Sequence, residues 1–203
     1  MSKLSTSICF IFIFFTLLFS HCTQNPNNYK TAITETAKTD FGEFETKEKW
    51  GQHLVTIAGC HDCHTPKIIT PNGLELDSSL LLSGHPAAMA YPDANREEIE
   101  KKGLSVTHVL TSWIGPWGVS YAANLTSDPT GIGYWKEENF ITAMREGKFN
   151  GVATARTLLP PMPWQMYKNM TDDELKAIFA FLLTTKPIQN VVPQPLPPIL
   201  VKQ

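Results

Sequence analysis

Cys60-His61-Asp62-Cys63-His64 decides how this chain is read. C-x-x-C-H is the sequence signature of covalent haem attachment. Two residues between the thiols place both sulfurs on one side of a tight helical turn, spaced to match the two vinyl groups of one haem. The imidazole of His64 follows at once and is expected as an axial ligand to the iron. Two other chemistries use a cysteine pair. A structural zinc site needs two further ligands, and Cys9 and Cys22, the only other cysteines, both lie in what reads as an N-terminal export signal. A redox dithiol sits at the start of a helix behind a buried strand, and no Val/Ile-rich strand precedes Cys60. The motif occurs once, so the expected cofactor is one covalently bound haem, and the expected chemistry is one-electron chemistry.

The 203 residues have room for one domain and its tails. With 17 Lys+Arg against 19 Asp+Glu the net charge is −2, and without a basic patch no nucleic-acid partner is expected. An apolar run from Ile8 to Phe19 follows Lys3. It is too short to span a bilayer but has the length of a signal-peptide core. Cys22, just after it, points to a bacterial lipoprotein acylated at that cysteine. His21 stands where a small residue is usual, so an ordinary signal peptide or an uncleaved anchor remains the alternative. The expected division is a signal peptide over 1–21, a lipid-anchored flexible tether over 22–44, a haem domain over 45–188 and a Pro-rich tail over 189–203. The expected location is the periplasmic side of a bacterial membrane.

Four helices can be argued within the domain, and no hairpin. Trp50, Leu54 and Ile57 recur at i, i+4, i+7 in a helix from about Glu45 to Ala58, interrupted by Gly51. Gly51 costs helix stability, which a close helix–helix contact would explain, with Phe179 and Phe181 as rings to pack across it. Thr171 and Glu174 form a capping box ahead of a last helix from Asp172 to Thr185, and Pro187 ends it. A third segment carries Val106, Val109, Leu110 and Trp113, and a fourth runs from Glu137 to Glu146 and closes at Gly147. The long Gly/Pro/Asn-rich connections are consistent with a haem that supplies core for loops to pack on. The expected class is all-α.

Three stretches carry a more specific resemblance: LVTIAGCHDCHTP (54–66), NLTSDPTGIGYW (124–135) and LPPMPWQMYKNMTDDELKAIFAFLLTTKP (159–187). Over residues 45–188 the chain resembles a mono-haem class I cytochrome c domain, similar to cytochromes found with periplasmic dehydrogenases and respiratory chains. That resemblance implies N- and C-terminal helices packed across the haem, no enzymatic activity, and redox partners such as a dehydrogenase, an oxidase or another cytochrome. The region from Pro66 to Ser120 is longer than in minimal cytochromes.

Haem iron needs a sixth ligand or an open face. Met162 stands in Pro160-Pro161-Met162-Pro163, where prolines stiffen the backbone that presents it. The resemblance also puts a ligand loop just before the last helix. Met162 is therefore the expected ligand, with Met166 as the second candidate, while Met89, Met144 and Met170 read as packing residues. Pro66 or Pro71 could offer a carbonyl to His64, and Asn124, Trp135, Arg156 and Trp164 are candidates for the haem propionates or edge. The competing reading is a haem enzyme or gas sensor with an open distal site.

Overall fold

The computed structural model describes residues 41–199, and two helices far apart in sequence frame its main core. Helix α1 (Lys47–Ile57) starts at Thr46, whose hydroxyl accepts from the N–H of Lys49. Helix α6 (Asp172–Leu183) starts at Thr171 with the reciprocal Thr171/Glu174 capping box. The two cross at Gly51. A Cβ there would lie 1.9 Å from the Ala177 carbonyl oxygen and 2.9 Å from Phe181 Cβ, so only glycine permits the approach. Phe179 faces elsewhere and packs on Phe140 of α4 (Glu137–Glu146), with ring centroids 5.6 Å apart. Leu54, Val55, Phe140, Met144, Leu175, Ile178 and Leu182 complete this core. Each fully buried side chain of that size contributes roughly 1.5–3 kcal/mol.

The all-α expectation is overturned by two antiparallel sheets. After the short helix α2 (Cys60–His64), β1 (Lys67–Thr70) and β2 (Gly73–Leu76) form a hairpin around Pro71 and Asn72. Further on, α3 (Arg96–Lys102) precedes β3 (Val106–His108), β4 (Ser112–Gly115) and β5 (Gly118–Tyr121), which pair in sequence order. The segment expected as a third helix is thus two strands. Val109 and Leu110, at φ 51° and 57°, turn the chain back between them, a left-handed pair that no helix can contain. Its four apolar residues fit a helical period only because the run is too short to separate periods.

A second, smaller core joins these strands to the end of the chain. Ile99, Ile114 and Val119 are buried together, and Leu196 packs on them. Val119 and Leu196 exchange both backbone hydrogen bonds, at 2.9 and 3.0 Å. The residues after Lys186 therefore run along the domain. Helix α5 (Trp164–Tyr167) precedes α6. Among the described residues no helix is long and apolar enough to cross a membrane. The expected signal peptide, Cys22 and the tether as far as residue 40 lie outside the described residues.

Candidate functional site

Helix α1 is capped by Ala58, and Gly59, at φ 69°, turns the chain sharply into α2. The left-handed conformation favours glycine, and it sets the Cys60–His64 turn against the main core. Cys60, Cys63 and His64 all border one cavity of about 390 Å³. The turn is tied down at its far end by Lys67. Its ammonium donates to the carbonyls of His61 (3.2 Å), Thr65 (2.7 Å) and Asp62. The His61 carbonyl also accepts the Thr65 N–H at 3.2 Å, so the ammonium joins the bonds that close the end of the turn. Tyr167 Oη, on α5, donates to the Ala58 carbonyl at 2.7 Å just ahead of the motif.

His64 is buried, and its Nδ1 lies 2.7 Å from the carbonyl oxygen of Ala123. A carbonyl only accepts, so Nδ1 carries the hydrogen and Nε2 the lone pair. Burial holds the ring below the usual imidazole range, against the opposing pull of that carbonyl. A neutral imidazole with its other nitrogen hydrogen-bonded is the form that ligates metals. The carbonyl comes from Ala123 and not from Pro66 or Pro71; Pro66 O accepts from the N–H of Asp77 instead.

The backbone on either side of Ala123, and His64 itself, are held by further bonds. Gly84 N–H donates to His64 O, His85 N–H to Ala122 O and Leu125 N–H to Leu82 O. Gly84, at φ 77°, lies so close that a Cβ would meet the Ala123 carbonyl oxygen at 2.6 Å. Neither the His64 nor the Gly84 contact with Ala123 had a sequence signal, because each joins segments far apart in the chain through a backbone atom.

Burial in the cavity wall pushes the Cys60 thiol up to about 11 and raises Cys63 as well. A redox dithiol works through a thiolate of lowered pKa, and burial of these two thiols acts the other way. Among the described residues no cluster of three or more His, Cys, Asp or Glu could hold a metal ion.

Met162 borders the same cavity. Its loop is anchored to the second sheet: Ser120 Oγ donates to Pro160 O at 2.6 Å and accepts from Trp117 Nε1 at 3.0 Å. Met166 is 70% exposed and outside the lining. Met144 and Met170 reach the cavity from the main core, whereas the backbone of Met89 accepts from His85 Nε2. Arg156 is the one lysine or arginine in the lining among the described residues, and its guanidinium lies 4.1 Å from the centroid of the Phe149 ring. Trp135 lines the cavity too. Asn124 does so with its amide engaged, donating to Ile188 O at 2.8 Å and accepting from Thr126 N–H at 2.9 Å. Trp164 lies outside the lining, with its ring against Gly147.

The cavity thus presents two neutral thiols one helical turn apart, an imidazole with an available Nε2, and a thioether on a braced loop, in mostly apolar surroundings. Sequence comparison points the same way. The chain is 34% identical over 149 residues to the cytochrome c subunit of a quinone-dependent alcohol dehydrogenase from Gluconobacter oxydans, covering 71% of this chain and 23% of the relative. It is 34% identical over 146 residues to the cytochrome subunit of fructose dehydrogenase from Gluconobacter japonicus, 71% of this chain and 22% of that one. The chain is related to the cytochrome c subunits of dehydrogenases. A third match, 35% identical over 136 residues, joins it to the cytochrome c subunit of gluconate 2-dehydrogenase from Pantoea cypripedii, covering 66% of this chain and 22% of the relative. The chain spans less than a quarter of the length of each of these relatives. No family model matches it. All three of these relatives are named as cytochrome subunits. Kinship with cytochromes c implies covalently bound haem c, and the donor set in the cavity fits that group.

Proposed function

We propose that this chain is a single-haem electron carrier, exported and held at the membrane by a lipid on Cys22. The reading rests above all on the meeting of Cys60, Cys63, His64 and Met162 around one apolar cavity. When bound there, haem c supplies a one-electron couple. Cys60 and Cys63 hold it covalently, through thioether bonds. His64 ligates through Nε2, kept in that tautomer by the Ala123 carbonyl. Met162, on the wall of the same cavity, would be the second protein group to hold the iron, and as a thioether it would favour the ferrous state and raise the potential. Held by His64 and Met162 together, the metal would need no substrate to reach it.

One C-x-x-C-H motif in the sequence supports one haem. The partners are redox proteins (a dehydrogenase, an oxidase or another cytochrome), met through small transient contacts. The division at residues 21, 44 and 188 belongs to the same reading, in which a tether of about twenty residues lets the domain swing between donor and acceptor.

Mass spectrometry of the mature protein tests the attachment: one haem increment plus acylation at Cys22 is expected. Optical spectra test the ligand. Met162→Ala abolishes the methionine-to-iron band of the oxidised protein, while Met166→Ala leaves it unchanged. The reverse result reassigns the ligand, and absence of that band in the wild type would favour an open-faced haem enzyme or sensor.

A further inference from the structure

We propose that Val191–Pro195 form a wall of the cofactor site, a strap that keeps water and small ligands from one edge of the bound group. This rests on the haem reading above. All five residues border the cavity that holds Cys60, His64 and Met162. Among the described residues the five make no backbone hydrogen bond, so their position is set by the two ends of the strap.

The first end is pinned by Asn190. Its Nδ2 donates to Ser83 O (2.7 Å) and His85 O (2.9 Å), its Oδ1 accepts from Ala87 N–H (2.9 Å), and its backbone N–H donates to Thr130 Oγ1 (2.9 Å). One side chain thus uses both faces of its amide on backbone groups about a hundred residues away. The second end is pinned by the Val119–Leu196 bridge, by Arg96 Nη2 donating to Pro197 O (2.8 Å) and by Ile199 N–H donating to Glu100 Oε2 (2.6 Å). Gly118 permits this crossing: a Cβ there would meet Leu196 O at 2.1 Å. Between the pins, Pro193 and Pro195 restrict the backbone and leave the strap little freedom to collapse or loop out.

The physical effect follows from charge. The ferric state of a haem carries one more positive charge than the ferrous state, and water stabilises the more charged form. Excluding water therefore raises the reduction potential, a lever that burial exerts at any haem edge. The strap and the strands that anchor it both lie outside the helical frame, and this gives the two a common role at the cofactor.

The test uses the haem-loaded full chain in three forms: wild type, Asn190→Ala, and a truncation ending at Gln189. Releasing the strap shifts the reduction equilibrium about tenfold toward the ferric form, 59 mV for a one-electron couple. Cyanide association with the oxidised protein rises about tenfold, and the methionine-to-iron band is retained. Unchanged potential and cyanide rate in a haem-loaded variant overturn the proposal. Loss of the methionine band in Asn190→Ala also overturns it, because the strap would then brace the Met162 loop and not shield the edge. If the truncated chain fails to accumulate, Asn190→Ala decides alone. A wild-type protein without covalent haem would instead refute the site reading itself.

Discussion

Beside the Cys60–His64 turn, Leu54, Val55, Phe140, Leu175, Ile178 and Phe179 pack helix against helix, whereas among the described residues the cluster under the second sheet has three buried members, Ile99, Ile114 and Val119. The second region compensates with polar ties. Arg96 and Glu100 pair at 3.0 Å with side chains 14% and 2% exposed, and the tail bonds to both. Asn190 and the Leu196 bridge add the rest. A core built from many apolar contacts tolerates the loss of any one; a core of three residues held by directed bonds does not. The contrast predicts two levels of stability in one domain, the helical frame opening globally and the sheet with its tail opening locally.

Four substitutions bear on that contrast. Gly51→Ala should act on the whole domain, because a backbone carbonyl 1.9 Å from the new Cβ can be relieved only by separating α1 and α6. A loss of about 3 kcal/mol is expected. A melting temperature close to wild type would show that the crossing is not rigid. Leu196→Ala should cost about 2 kcal/mol in the small core. Hydrogen exchange should quicken in β3, β4 and β5 while α1 and α6 keep their protection. Uniform quickening would merge the two regions into one cooperative unit.

Ser120→Ala acts on the seam, stranding the Trp117 N–H and the Pro160 carbonyl at a cost of about 1–2 kcal/mol. The methionine-to-iron band should disappear at lower temperature than in wild type, and an unchanged thermal profile would uncouple the sheet from the Met162 loop. Lys67→Met is the mildest, about 0.5–1 kcal/mol, for the lost ties between hairpin and haem turn. It should lower the denaturant midpoint without changing the slope; an unaltered midpoint would mean that water replaces the ammonium.

The same division governs what could be read in the sequence. The helix argued over 137–146 forms at those residues, and those argued over 45–58 and 172–185 form two or three residues shorter. Each combines a cap or a closing glycine with enough turns for a period to show. The sheets were missed for the opposite reason. Strands of three or four residues are shorter than the window that distinguishes alternation from helical spacing. Signals did exist in the turns: Thr70-Pro71-Asn72-Gly73 and Gly115-Pro116-Trp117-Gly118 are turn sequences between apolar runs. Asn95 with Glu97 and Glu98, closed by Gly103, equally marks α3. Cys60, Cys63, His64 and the Pro-framed Met162, which the structure brings to one cavity, stand out in the sequence because each pattern is local. Ala123, Gly84 and Asn190 do not, since their partners lie tens of residues away and are mostly backbone atoms that leave no trace in composition.

The strap has one more consequence, which concerns order in time. A polypeptide is made from its N-terminus, so Cys60–His64 is in place well before Val191–Pro195 exists. The contacts of Asn190 with Ser83 and His85 span 107 and 105 residues, and such distant pairings form late. Until they do, the cavity lacks the side that Val191–Pro195 supply, and a broad flat molecule meets a wider opening. Laying the tail across the opening then adds the wall of Val191–Pro195 to the cavity.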